Sequence, residues 1–230
     1  MTRFSRPDFP FAVVGFDLDG TLLDTSGDLA AAVNHALRAA GRAPLTVKRI
    51  KPMIGGGARH MLAQALAATG GAMEAEIDRL LPTLLDHYQA NIAVHSHPFP
   101  GAVEAVQALR EWGVACAVVT NKREAFATKL LAALELLDRF ACVLGGDSLG
   151  PDRGKPKPDL ILAAIERCGG GPASFVGDSI YDVQAAQAAG VPVVACAFGF
   201  LQQPVETLGV DAVIDGFDQL VPALERLGAR

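Results

Sequence analysis

Apolar residues recur along this chain in short continuous runs, at residues 11–16, 114–119, 142–144, 173–176, 191–197 and 212–214. Runs this short and apolar on both faces are the pattern of strands buried in a parallel sheet. Between them lie stretches with the apolar spacing of amphipathic helices, at residues 103–112, 124–137, 160–168 and 181–189. Strands alternating with helices predict an α/β fold, a Rossmann-like parallel sheet flanked by helices. The alternation lapses between residues 26 and 97, where the pattern predicts helices over 28–40, 58–68 and 74–92 and no strand. Gly41 and the Gly70-Gly71 pair are the breaks there. The expected organisation is a core of residues 1–25 and 98–230 with an inserted helical unit of residues 26–97, the chain returning through His97-Pro98-Phe99-Pro100-Gly101.

In sheets of this kind, ligands bind where loops and helix N-termini gather at the carboxyl ends of the strands. The polar residues there are Asp17, Asp19, Gly20 and Thr21 after the first run, Thr120, Asn121 and Lys122 after the second, and Asp178 after the fourth. If the first strand persists, Asp17 and Asp19 project to one side and repel each other, a cost that a divalent cation or a retained proton relieves. Asp-x-Asp-Gly is also a common turn composition, and Gly20 would let backbone amides approach an anion. Asp178 and Asp182 form a second acidic cluster in GDSIYD, and hard oxygen donors of this sort suit Mg²⁺. The same two residues read equally as a helix cap and a first-turn charge. Lys155, between Gly154 and Pro156, sits on a stiffened loop that can hold its charge against an anion, whereas Lys157 reads as solvated.

Composition narrows the classes of partner. A formal net charge of -5 supplies no basic footprint for nucleic acid or an anionic membrane surface. The N-terminal stretch is interrupted by Pro10 and ends at Asp17, unlike a signal peptide, and the longest later apolar run, 191–201, is far short of the ~20 residues of a spanning helix. Cys116, Cys142, Cys168 and Cys196 have no metal or redox spacing, and reduced core cysteines of a cytoplasmic protein are the expectation. His35, His60, His87, His95 and His97 do not converge on a metal site, and Tyr88 and Trp112 read as packing residues.

Taken in order, DLDGTLLD, VVTNK, KPKPD and GDSIYD resemble the four motifs of the haloacid dehalogenase superfamily of aspartyl-phosphate hydrolases, and the helical insertion resembles that family's cap. Within it, DLDGTLLDTSGDLAAAVNHAL and IGGGARHML look most like the phosphoglycolate phosphatases. The resemblance implies Asp17 as nucleophile, Asp19 as general acid and base, Thr120 as a phosphoryl ligand and Lys155 as the neutralising cation. It implies Mg²⁺ held by Asp17, Asp178 and the backbone carbonyl of Asp19, with Asp182 supporting the metal shell. An acid at position 19 implies a phosphate ester, since expelling a halide needs no proton. Gly20, Thr21 and Asn121 are expected at the substrate. Arg59, after Gly55-Gly56-Gly57 at a helix start, is expected to pair with a substrate carboxylate. The expected partner is a small phosphorylated metabolite such as 2-phosphoglycolate. The alternatives are a β-phosphoglucomutase-like sugar phosphomutase and a non-catalytic module that stores a phosphoryl group on aspartate.

Overall fold

The computed structural model describes residues 9–229; the first eight residues, which the sequence reading assigns to the core, and Arg230 lie outside it. Six strands form one parallel sheet: β1 (Val13–Phe16), β4 (Ala115–Val119), β5 (Cys142–Leu144), β6 (Ala173–Gly177), β7 (Val193–Cys196) and β8 (Ala212–Ile214), in the order β5-β4-β1-β6-β7-β8. Two short segments, β2 (Leu23–Asp24) and β3 (His97–Pro98), pair antiparallel at the point where the chain leaves the sheet region and returns to it. Each of the six predicted apolar runs coincides with a strand of the sheet, β6 extending one residue past its run.

The order follows from burial. Every residue of β1 is inaccessible to solvent, so the strand must lie in the middle of the sheet, and it pairs with β4 on one side and β6 on the other. On one face, Val14, Phe16, Val118 and Val176 pack with the helices α5 (Ala102–Glu111), α6 (Glu124–Ala133) and α9 (Leu220–Gly228). On the other, Ala117, Val119, Phe175 and Val193 pack with α7 (Asp159–Arg167) and α8 (Ile180–Ala189). Gly15 is required in this packing, because a Cβ there would lie 2.8 Å from the Phe175 ring.

Between β2 and β3 the chain is helical: α1 (Ser26–Ala39), α2 (Val47–Ile50), α3 (Ala58–Ala67) and α4 (Glu74–Ala90). In α1, Leu29, Val33, Ala36 and Leu37 recur at helical spacing on the buried face, and α4 presents Ile77, Leu80, Leu84, Leu85 and Tyr88 in the same way. The helix predicted over 124–137 ends instead at Ala133, because Glu135 takes a left-handed conformation (φ 57°) that cannot continue it. No helix among the described residues is long and apolar enough to cross a membrane.

Candidate active site

The carboxyl ends of β1, β4 and β5 open onto a cavity of about 840 Å³ roofed by α3 and α4. Asp17 continues the β1 ladder by one residue, its amide donating to Val176 O (2.9 Å), so its carboxylate is fixed to the end of the central strand. The regular strand ends at Phe16, yet Asp17 and Asp19 both line the cavity, as the alternation predicts, while Phe16 and Leu18 are buried in the core. The chain turns after Asp17, and the two carboxylates take different partners.

Asp17 Oδ1 lies 2.8 Å from Lys155 Nζ, and the same ammonium contacts Asp182 Oδ1 (2.5 Å) and donates to Val119 O (2.9 Å). Asp17, Asp178 and Asp182 offer carboxylate oxygens that all lie within 4.8 Å of one another. Burial, opposed by Lys155 and reinforced by Asp182, raises the Asp17 pKa to about 6. Burial together with Asp182 and Asp17 pushes Asp178 well above the usual carboxylate range. Burial also works against the Lys155 charge, but Asp17 and Asp182 outweigh it and hold that pKa at about 12. Three buried acids facing one ammonium leave an excess of negative charge.

The donor chemistry fits a divalent cation. Asp17 Oδ1 is buried and makes no hydrogen bond, its contact with Lys155 being an ion pair by distance alone. Such an oxygen in an over-acidic cluster is the group a hard cation would complete. Asp182 is suited to a supporting part. Its Oδ2 accepts from Ser179 Oγ (2.6 Å) and from the amides of Ser179 (3.0 Å) and Asp178 (3.2 Å), while Oδ1 holds Lys155. This reciprocal cap starts α8 and fixes the lysine together.

Asp178 is held from behind by Thr21 Oγ1 (2.9 Å) and the Phe200 amide (2.6 Å). Two glycines make room for it. At Gly20 (φ 91°) a Cβ would sit 2.3 Å from Asp178 Oδ2, and at Gly199 it would sit 2.3 Å from Asp178 Cβ. Gly20 and Thr21, expected at the substrate, therefore build the seat of Asp178: the Gly20 amide donates to Leu23 O (2.9 Å) and the Thr21 hydroxyl is fully buried.

Asp19 is held apart from the acidic cluster. Its Oδ1 accepts from Thr25 Oγ1 (2.6 Å) and its Oδ2 pairs with Lys122 Nζ (2.7 Å). Lys122 is itself buried, with its ammonium 4.7 Å from the centre of the Tyr88 ring. Burial opposes the lysine charge, yet Asp19 and Tyr88 hold its pKa above the ordinary value. Thr120 Oγ1 accepts from the Lys122 amide (3.2 Å), which leaves its proton to donate into the cavity it lines. Asn121 Nδ2 is shared between Lys155 O (2.9 Å) and Gly55 O (3.0 Å), tying the loop after β4 to the loop before α3. Gln202 Nε2 donates to Ile54 O (2.6 Å) across the same junction.

Arg59 lines the rim of the cavity, but Glu74 and Asp78 of α4 engage its guanidinium on the solvent side, and nearly half of its side chain is exposed. The sequence reading gave no role to Lys122, Thr25 or Gln202 and took Tyr88 for packing. The signal for Lys122 was present, since it directly follows Thr120 and Asn121 at a strand end.

The family model of the haloacid dehalogenase-like hydrolases matches residues 11–190. The chain is 42% identical over 223 residues to a phosphoglycolate phosphatase of Agrobacterium fabrum, spanning 96% of this chain and 94% of that protein. It is 41% identical over 213 residues to a phosphoglycolate phosphatase of Caulobacter vibrioides, spanning 91% and 89%. A crystal structure of a predicted phosphoglycolate phosphatase from Haemophilus somnus superposes with a TM-score of 0.85 at 30% identity, covering 93% of this chain and 97% of that one.

Proposed function

Because this chain belongs to the haloacid dehalogenase-like hydrolases and is a phosphatase, we propose that it hydrolyses 2-phosphoglycolate to glycolate and phosphate through a phosphorylated Asp17. The observation that carries the reading is the separation of two buried carboxylates, Asp17 clamped by Lys155 in an acidic cluster and Asp19 held by Lys122 and Thr25. One carboxylate is thereby set up to attack and the other to move protons.

Asp17 attacks phosphorus as its carboxylate, and the bond from phosphorus to the ester oxygen breaks. Asp19 gives its proton to the departing oxygen. Asp19, now ionised, takes a proton from water, whose oxygen attacks the phosphorus of the acyl phosphate and returns Asp17 to its carboxylate. Lys155 and the Thr120 hydroxyl meet the charge on the phosphoryl oxygens. Mg²⁺ would be held by Asp17, Asp178 and the backbone carbonyl of Asp19, and would supply positive charge to the phosphoryl group and offset the repulsion of the cluster. The helical insertion, residues 26–97, acts in this reading as a cap over a core of residues 1–25 and 98–230. Asn121 and Gln202 tie it to the core beside the cavity through Gly55 O and Ile54 O.

Phosphate release from 2-phosphoglycolate, ethyl phosphate, pyrophosphate and a hexose phosphate, with Mg²⁺ or with chelator, tests the reading. Cation-dependent release with 2-phosphoglycolate strongly preferred is expected. Preference for another ester refutes the substrate, and transfer of phosphate back to the hexose in place of release favours a mutase.

A further inference from the structure

The substrate proposed above carries a second anionic group, and its receptor follows from where Asp19 is held. In an α-phosphooxy carboxylate the carboxyl carbon stands two bonds from the ester oxygen, the atom that Asp19 protonates. A group touching Asp19 on the cavity side is therefore within reach of that carboxylate. Lys122 is such a group: its Nζ is 2.7 Å from Asp19 Oδ2 and it lines the cavity. An ammonium has three donors, and Asp19 takes one.

Tyr88 supplies an independent indication. It lines the same cavity from α4, 2% exposed, and its hydroxyl is buried beside Lys122 with no hydrogen bond of good geometry. A buried hydroxyl with no partner is costly, and a carboxylate delivered beside it satisfies it. The surrounding wall is apolar, formed by Met61, Leu85 and Phe126, the last edge-on to Tyr88 at 5.8 Å. Dry walls strengthen a charge-assisted hydrogen bond. Arg59 competes poorly for the role, with its guanidinium engaged by Glu74 and Asp78.

We propose that Lys122 and Tyr88 form the receptor for the substrate carboxylate, so that the residue pairing with the general acid also selects short α-phosphooxy acids over simple alkyl phosphates. The assignment rests on the substrate reading above. Its test is the ratio of kcat/KM for 2-phosphoglycolate to that for ethyl phosphate, the same ester without the carboxylate, in the wild type, Lys122→Met and Tyr88→Phe. Loss of a charge-assisted contact is expected to cut the ratio by about 10-fold or more in Lys122→Met, and loss of a hydroxyl donor by a few-fold in Tyr88→Phe, chiefly through KM for 2-phosphoglycolate. A Lys122→Met enzyme that loses both activities equally and keeps the wild-type ratio overturns the assignment and leaves Lys122 a positioning residue for Asp19. If Lys122→Met does not fold, an unchanged ratio in the isosteric Tyr88→Phe overturns it instead. A wild type without preference for the carboxylate refutes the substrate reading itself, a result distinguishable from the first two.

Discussion

Replacing Asp17 with asparagine should stabilise the metal-free protein above neutral pH and leave it little changed in acid. Asp17, Asp178 and Asp182 cluster together, and Lys155 pairs with Asp17 and Asp182. Burial raises the Asp17 pKa from 3.8 to about 6, with Lys155 only partly offsetting it. An acid whose pKa is higher folded than unfolded keeps its full contribution below the unfolded value and loses it as pH rises through the folded one, because the native state there binds more protons. At about 1.4 kcal/mol per pH unit, ionising Asp17 costs the metal-free fold ~3 kcal/mol by pH 7.5. Asparagine carries no such cost. Urea unfolding of both proteins in chelator at pH 4.5 and pH 7.5 measures the difference. Because pH 4.5 is already above the unfolded pKa, about 1 kcal/mol of that cost is present there, and the variant should gain on the wild type by about 2 kcal/mol between the two pH values. Saturating Mg²⁺ should then recover the wild type selectively, by ~2.7 kcal/mol at a hundred times its dissociation constant. A stability difference that does not change with pH would refute the description of Asp17 as a buried acid in an over-acidic cluster.

Two further substitutions probe the supports of the site. Lys155→Met leaves Asp17 and Asp182 buried without their ammonium, so a loss of ~3–5 kcal/mol in urea unfolding is expected at neutral pH, together with loss of phosphatase activity; a variant as stable as the wild type contradicts the clamp. Gly20→Ala places a Cβ 2.3 Å from Asp178 Oδ2 at φ 91°, and a stability loss of ~1–3 kcal/mol with a raised Mg²⁺ requirement is expected from chelator-buffered titration; unchanged metal dependence contradicts the role given to that turn.

Much of this was legible in the sequence because parallel strands buried on both faces announce themselves as apolar runs, and the first polar residue after each run is where a ligand is met. Asp17, Thr120 and Asp178 stand out for that reason. The α9 helix was legible but passed over, since Leu220, Ala223, Leu224 and Leu227 repeat at helical spacing. Other features depend on partners far away in the chain. Tyr88 has the spacing of an ordinary core position after Leu81, Leu84 and Leu85, and only the packing of α4 over the loop after β4 brings its ring to Lys122. The pairing of Arg59 with Glu74 and Asp78 required the register of α3 against α4, which no local pattern fixes. Thr21 is expected at the substrate because it follows the strand, yet its hydroxyl meets Asp178, 157 residues away.

The central claim is that the phosphoryl group passes through Asp17. Asp19→Asn keeps the nucleophile but removes the base that activates water, and p-nitrophenyl phosphate has a leaving group that needs little protonation. Incubating that variant with this ester and Mg²⁺, quenching, and mapping the peptides by mass spectrometry tests the claim directly. One added phosphoryl group is expected on the peptide carrying Asp17, absent when Asp17→Asn is combined with Asp19→Asn. A phosphoryl group on another residue, or steady turnover by Asp17→Asn itself, would contradict it.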